Sequence, residues 1–272
     1  MEKYRIMTFH QIFIENSICL SKRLGIEIIS NFEPIEGYTY IIFGAHEKAV
    51  ELYQIQQQVK NIKYVILNSE SPLSQVLRNK YYIYLMRENV VFDYSPISTE
   101  KLNDLGINVL SQFVFEFLRQ DAVTTERDID IFFCGTHTTR RVEIFETLKS
   151  RYPDKNIVFN FDWKYADQNE LTKALCRSKV VLNIPYYNHT IIETHRIHKA
   201  LSCGCNVVSL FSGDKETDLF YGKYIYMVDD FSKYFDKIPA LATSEKKLGY
   251  EHLMSVLKKK TQYNNWVLKM LS

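Results

Sequence analysis

The chain of 272 residues carries only 9 glycines, 6 prolines and 2 tryptophans, so collagen-like and low-complexity disordered classes are excluded. It lacks 18 consecutive apolar residues anywhere, which argues against a membrane-spanning helix. Its first residues, MEKYRIMTFHQIF, show no cationic region followed by a sustained apolar run, so no export signal is expected. Charge of one sign is missing too: 34 Lys and Arg stand against 32 Asp and Glu, and a net +2 offers no global field for holding nucleic acid. There is no CxxC pair among the five cysteines, Cys19, Cys134, Cys176, Cys203 and Cys205, and an odd count suggests reduced thiols in the cytoplasm. Cys203-Gly204-Cys205 has the wrong spacing for a zinc knuckle and reads more simply as small residues at a tight helix-to-strand turn. No G-x-G-x-x-G follows an apolar run, which makes a dinucleotide oxidoreductase the least favoured reading.

What is present is an ordinary globular composition, 46% hydrophobic and 24% charged, with 19 Tyr and 17 Phe that serve cores and ligand pockets alike. Short apolar runs alternate with segments of helical period. Strands are predicted at residues 4–9, 26–30, 38–45, 63–69, 89–95 and 107–113, with helices at 17–25, 46–60 and 71–80 between them. After residue 128 the pattern restarts, with strands at 129–135, 156–161, 179–186, 206–211 and 224–230 and helices at 138–152, 169–178 and from 191 onward. Runs that are apolar throughout, without alternation, suit parallel sheets covered on both faces by helices.

The predicted fold is therefore α/β, with two Rossmann-like doubly wound domains facing a cleft and a C-terminal helix. The expected boundaries are 1–116 for the first domain, 117–128 for a polar linker, 129–245 for the second domain, and 246–272 for a helix packing across or near the interdomain region. That last helix is basic and amphipathic, which leaves open either packing or peripheral contact with a membrane surface.

In such sheets ligands bind beyond the carboxyl ends of the strands. The segment IDIFFCGTHTTRRVEIF runs from a strand into Gly135, a polar turn with Thr136, and a helix opening with Arg140 and Arg141. A glycine permits close approach to backbone, and a helix N-terminus beside two arginines suits a diphosphate; surface arginines on a capped turn would read the same way. The second segment, VVLNIPYYNHTIIETHRIHKALSCGCNVVS, follows its strand with an aromatic loop containing Tyr186 and then a polar helix. Glu193 and Arg196, with Lys199, share a helical face near His189, His195 and His198. A surface ion pair of that spacing is worth only about 0.2–0.5 kcal/mol. At a site mouth the Glu accepts bonds from sugar hydroxyls and the Arg neutralises phosphate. The H-x-x-H pair lacks further ligands for a metal, so satisfied or exposed histidines are expected and no metal site is assigned.

These two segments, FFCGTHTTRR and VVLNIPYYN…IIETHRIHKALSCGCNVVS, resemble the donor-binding domain of GT-B-fold glycosyltransferases, nearest to small bacterial and viral family-1-like and spore-coat-type members. KYVILNSESP and VVFDYSPISTEKLNDLGINV are similar to the acceptor-side domain of the same group. The resemblance implies sugar transfer from a nucleoside-diphosphate sugar to a hydroxyl of a glycan, glycoprotein or other acceptor, with no obligatory metal or cofactor. Gly135, Thr136, Arg140, Arg141, Tyr186, Glu193, Arg196 and Lys199 would line the donor side. Lys199 departs from the pattern, since many relatives carry an acidic residue there, and Pro185 stands where a histidine is frequent. Inversion would need a base from the first domain: Glu70 and His46 lead, with Asp93 and His10 behind them. The alternatives are a catalytically inactive sugar-nucleotide or glycan-binding module on the same fold, and a DNA-modifying glucosyltransferase, which the charge balance disfavours.

Overall fold

A computed structural model describes residues 3–120, 126–161, 167–187, 191–242 and 248–261. The chain divides into two compact units, Met1–Phe117 with Met254–Ser272, and Leu118–Leu253.

The first unit is built on a parallel sheet of five strands, β1 (Tyr4–Thr8), β2 (Thr39–Phe43), β3 (Lys63–Asn68), β4 (Val90–Asp93) and β5 (Val109–Gln112), in that spatial order. Their runs are apolar because the inner strands are covered on both faces: Ile41, Ile42, Ile66, Val91 and Phe92 are all fully buried. The helices are α1 (Ile14–Leu24), α2 (Ala49–Gln58), α3 (Lys80–Arg87) and α4 (Pro96–Asp104). Gly25, at φ 64°, closes α1 in the left-handed conformation that a side chain disfavours. Ser95 caps α4 ahead of Pro96, whose missing N–H costs nothing in a first turn.

Two expectations for this unit are corrected. The strand foreseen at 26–30 is reduced to a single bridge, Ile6 to Ile28, because the chain runs at once into the polar, Pro- and Gly-containing stretch 31–37. The helix foreseen at 71–80 is a short 3-10 turn, Gln75–Arg78; Asn79 then accepts a bond from Tyr81 N at 3.0 Å and restarts the chain as α3. The bridge at Ile28 lies on the side of β1 away from β2, so the chain reverses its direction of travel across the sheet between β1 and β2.

The second unit carries β6 (Ile129–Cys134), β7 (Ile157–Asn160), β8 (Ser178–Asn183), β9 (Asn206–Leu210) and β10 (Tyr226–Val228), all parallel, in the order β10-β9-β8-β6-β7. Helices α5 (Thr139–Arg151), α6 (Gln168–Cys176), α7 (Thr194–Ser202) and α8 (Lys215–Tyr221) connect them. From β6 the chain steps outward to β7 and then crosses back to β8, so β6 and β8 flank the point where strand order reverses, the usual seat of a ligand in an open α/β sheet. Ile131, Phe133, Val180, Leu182 and Val208 fill the core beneath it.

The polar helix foreseen from residue 191 begins later and is more buried than its composition suggests. Ile191 and Ile192 are buried but not helical, Glu193 is the N-cap, and α7 hides Thr194, Ile197, His198, Lys199, Ala200, Leu201 and Ser202. His198 shares a 2.9 Å hydrogen bond with the Tyr221 hydroxyl and stacks on its ring, so part of the polarity is spent inside the unit. The turn after α7 has Cys203 and Cys205 buried and Gly204 at φ 72°, which is the helix-to-strand turn expected of them. At the C-terminal end the described helix is α9 (Tyr250–Lys260), with Lys258, Lys259 and Lys260 in its last turn, where the helix dipole favours cations. Parts of the expected linker (121–125) and of the expected C-terminal helix (246–247 and 262–272) lie outside the described residues. Among the described residues, no helix is long and apolar enough to cross a membrane.

Candidate functional site

At the end of β6 the backbone passes through Gly135, whose N–H donates to Asn160 O at 3.0 Å. A methyl group here would sit 2.9 Å from the Phe133 ring, 3.2 Å from Arg196 Nη2 and 3.3 Å from Arg141 Nη1. Two guanidinium groups thus converge over a residue whose missing side chain leaves them room.

The two arginines are held differently. Arg141 enters from the first turn of α5, whose N-cap Thr138 accepts the Arg141 backbone N–H at 3.3 Å. Its side chain is 1% exposed. Nε and Nη2 donate to Ile184 O at 3.1 and 2.6 Å, and Nη1 donates to Thr136 O at 2.6 Å. Arg141 therefore ties the turn after β6 to the segment after β8. Burial, with the Arg196 charge next in weight, pushes its guanidinium down to about 10, while Glu193 opposes the shift. Arg196, near the start of α7, donates from Nη1 to Asn183 Oδ1 at 3.0 Å and to Ile184 O at 3.4 Å. It also forms an ion pair with Glu193, and the two side chains are 25% and 27% exposed. Phe133 is the platform for both, with guanidinium-to-ring distances of 4.9 Å for Arg141 and 5.4 Å for Arg196.

The Glu193 carboxylate has a second partner: the Tyr186 backbone N–H donates to its Oε1 at 3.2 Å. Tyr186 itself is half exposed, with its ring 5.7 Å from the Arg141 guanidinium. Gly135, Thr136, Arg141, Tyr186, Glu193 and Arg196 are thus brought together at the β6/β8 reversal. Arg140 is half-buried on α5, and its charge adds to the forces lowering Arg141. Lys199 lies one turn further along α7, 3% exposed, where its charge acts on the Cys203 thiol. His189 lies outside the described residues. Sequence reasoning passed over Phe133 and Asn183, although an apolar strand that ends on a fully buried Asn was a signal. Asn183 Nδ2 donates to Ser209 Oγ at 2.9 Å, which leaves its Oδ1 fixed toward Arg196. Burial pushes the neighbouring Cys134 thiol up to about 12 against the pull of both arginines, so it is no nucleophile near neutrality.

In the first unit the strand ends gather the other candidates. His46 Nε2 lies 3.5 Å from Glu70 Oε1 and 3.5 Å from Glu47 Oε1, and Ser74 Oγ donates to Glu70 Oε2 at 2.9 Å. Asn68, at the end of β3, brackets Glu70 by accepting its N–H at 3.3 Å and donating to its carbonyl at 3.4 Å. Asn68 also accepts from the Tyr82 hydroxyl at 2.8 Å and donates to Asp93 Oδ2 at 2.6 Å. Asp93 is fully buried and accepts further from Ser98 Oγ and Ser95 N, both at 2.8 Å; burial outweighs these bonds and lifts its carboxyl to about 6. It is a structural anchor beneath Glu70. His10 caps the 3-10 turn Gln11–Phe13 by accepting Ile12 N at 3.3 Å, and its Cβ packs against Gly44. Among the described residues no group of three or more His, Cys, Asp or Glu is arranged to hold a metal ion.

No family model matches the sequence, and no curated protein does. Solved structures do. Alr3699/HepE from Anabaena, in complex with UDP and glucose, superposes with a TM-score of 0.57 at 10% identity over 99% of each chain. Its complex with UDP-glucose gives 0.56 at 10% identity, over 98% of this chain and 99% of that one. A point mutant of TarM from S. aureus, in complex with Fondaparinux, alpha-GlcNAc-glycerol and UDP, gives 0.53 at 14% identity over 76% of this chain and 48% of TarM. The chain thus spans about half the length of TarM and nearly all of HepE. These neighbours are GT-B glycosyltransferases, and at such identities the likeness bears on the fold: α/β, with two parallel sheets.

Proposed function

We propose that this chain is a glycosyltransferase that moves a sugar from a nucleoside-diphosphate sugar to a hydroxyl of a glycan or glycoprotein. The observation that carries the reading is the convergence of the Arg141 and Arg196 guanidiniums over Gly135, between the ends of β6 and β8. Transfer passes through an oxocarbenium-like state while negative charge grows on the departing diphosphate, so fixed positive charge at that point lowers the barrier. Arg196 supplies it at the surface, Arg141 fixes the two loops that carry it, and Arg140 adds charge from the same helix. Such a site needs no metal to neutralise the leaving group and no further cofactor. The neighbours HepE and TarM, seen with UDP, support a uridine nucleotide as the donor. The sequence likeness to the small spore-coat-type group and the five unpaired thiols suit a cytoplasmic enzyme.

For the acceptor hydroxyl's proton we propose the His46–Glu70 pair of the first unit, whose side chains lie 3.5 Å apart. Lys199 does not weigh against binding, because it is buried in α7.

Thermal unfolding of the wild type and of Arg196→Ala against nucleoside diphosphates and their sugar conjugates tests the reading. A ligand at 100 times its dissociation constant adds about 2.7 kcal/mol to what it binds. A uridine nucleotide should raise the wild-type midpoint and leave Arg196→Ala unmoved. No shift with any nucleotide at millimolar concentration would remove the donor site.

A further inference from the structure

We propose that Glu193 is a resident counter-ion that masks the arginine seat, so that the site admits a diphosphate only when the ligand also offers hydroxyl groups to the displaced carboxylate. The inference deepens the donor-site reading above and rests on it for the identity of the ligand, though not for the masking itself.

Glu193 stands at the N-cap of α7, yet makes no side-chain capping bond to its own helix. Both oxygens are turned the other way. Oε2 pairs with Arg196, and Oε1 takes the backbone N–H of Tyr186. A guanidinium and a backbone N–H at one strand end are the donors that a phosphate oxygen would seek. The carboxylate already occupies Nη1 of the guanidinium and the Tyr186 N–H.

The donors of Arg141 are committed to protein oxygens, and Arg196 carries its Glu193 pair on Nη1. Arg141 gives Nε and both terminal nitrogens to Ile184 O and Thr136 O, and Arg196 gives Nη1 to Asn183 and Ile184. An incoming dianion meets the Glu193 charge already paired with Arg196 and competes with it for that guanidinium. Both side chains are about a quarter exposed, so the carboxylate can leave without unpacking the core. The two outcomes differ in what the carboxylate then finds. Beside bare pyrophosphate it is left facing a second anion. Beside a nucleotide it can accept two hydrogen bonds from a vicinal diol, and each charge-assisted bond repays part of the lost ion pair. Phe133 beneath and Asn183 beside Arg196 keep the guanidinium in place during the exchange. The device is a specificity element: it penalises simple phosphates, which are abundant, relative to ribose-bearing diphosphates.

The test compares wild type, Glu193→Gln and Glu193→Ala by calorimetric titration with inorganic pyrophosphate and with uridine diphosphate, after circular dichroism has shown all three to be folded. Gln keeps the shape and can still accept Tyr186 N–H, while removing the charge. Masking requires that both variants bind pyrophosphate at least about tenfold more tightly than wild type, and that the preference for uridine diphosphate over pyrophosphate shrinks by about tenfold or more. Unchanged or weaker pyrophosphate binding in both variants would overturn the proposal, whether or not the nucleotide still binds. If the variants gain pyrophosphate while no nucleotide binds any of the three proteins, the masking stands and the donor reading falls.

Discussion

Arg141 and Arg196 share one aromatic platform, Phe133, yet they divide the work between them. Arg141 is buried and spends its guanidinium on the carbonyls of Thr136 and Ile184, whereas Arg196 is a quarter exposed and pairs with a carboxylate. Stability and ligand binding should therefore separate when each is replaced. Arg141→Ala leaves two loop carbonyls without their donors and empties a buried volume, at a cost of about 3–5 kcal/mol. Arg196→Ala breaks a quarter-exposed ion pair and leaves Asn183 Oδ1 without its donor, costs about 1–2 kcal/mol, and abolishes the nucleotide-induced thermal shift. Urea unfolding of both variants, with and without uridine diphosphate, measures the two effects. Equal destabilisation by the two substitutions would contradict the division.

Gly135 is tested by a single methyl group. In Gly135→Ala the new Cβ would meet the Phe133 ring at 2.9 Å, with Arg196 and Arg141 next. The ring is packed in the core and cannot yield freely, so overpacking of about 1–3 kcal/mol is expected, with weaker nucleotide binding as Arg196 is pushed aside. Thermal midpoint and calorimetric affinity should fall together. A variant with wild-type midpoint and affinity would show that the close approach is not needed.

Much of this was legible in the sequence because parallel strands covered on both faces must be apolar throughout, and the runs VVLN, VILN and IFF announced themselves. Gly135, Arg196 and Glu193 were legible because they follow such runs. Three features were hidden, each for a physical reason. The segment at 26–30 has the composition of a strand, but the polar stretch behind it cuts its ladder to one bridge. The start of α3 was missed because Lys80–Arg87 is dense in tyrosine, which is compatible with either structure, and the decision belongs to the Asn79 cap. The burial of Lys199 and His198 depends on packing, as with the partner of His198, Tyr221, which lies 23 residues further along the chain. No local pattern encodes that contact.

The buried carboxyl of Asp93 gives the first unit a pH signature. Its folded-state value, about 6, lies above the ordinary 3.8, so the folded state holds the proton more tightly than the unfolded state. The sign follows: the stabilising contribution is complete below about pH 4, and is lost as pH rises through 6. Roughly 3 kcal/mol is at stake between those limits. Because other carboxyls titrate over the same range, the quantity to measure is the difference in unfolding free energy between wild type and Asp93→Asn from pH 4 to 7.5. The wild type should lose ground to the variant as pH rises across that window. A difference that is flat with pH would mean that Asp93 titrates normally.

The His46–Glu70 pair separates chemistry from donor binding. Glu70 is bracketed by Asn68 through its own backbone and held at its carboxylate by Ser74, so Glu70→Gln should keep the local fold while removing the proton acceptor. Loss of a general base lowers kcat by about 10²- to 10⁴-fold. The same substitution lies outside the second unit and should leave the uridine-nucleotide thermal shift at its wild-type size. Asn68→Ala gives the complementary case: it frees the Glu70 backbone and unties Asp93 and Tyr82, so both stability and turnover should drop. Turnover is measured with a uridine-diphosphate sugar and a glycan acceptor, alongside the slow hydrolysis of the donor by water. If Glu70→Gln retains full transfer, the proton goes elsewhere and His46 becomes the residue to replace next. If Glu70→Gln and His46→Ala both retain it, the pair is a structural contact and the base is supplied by another group.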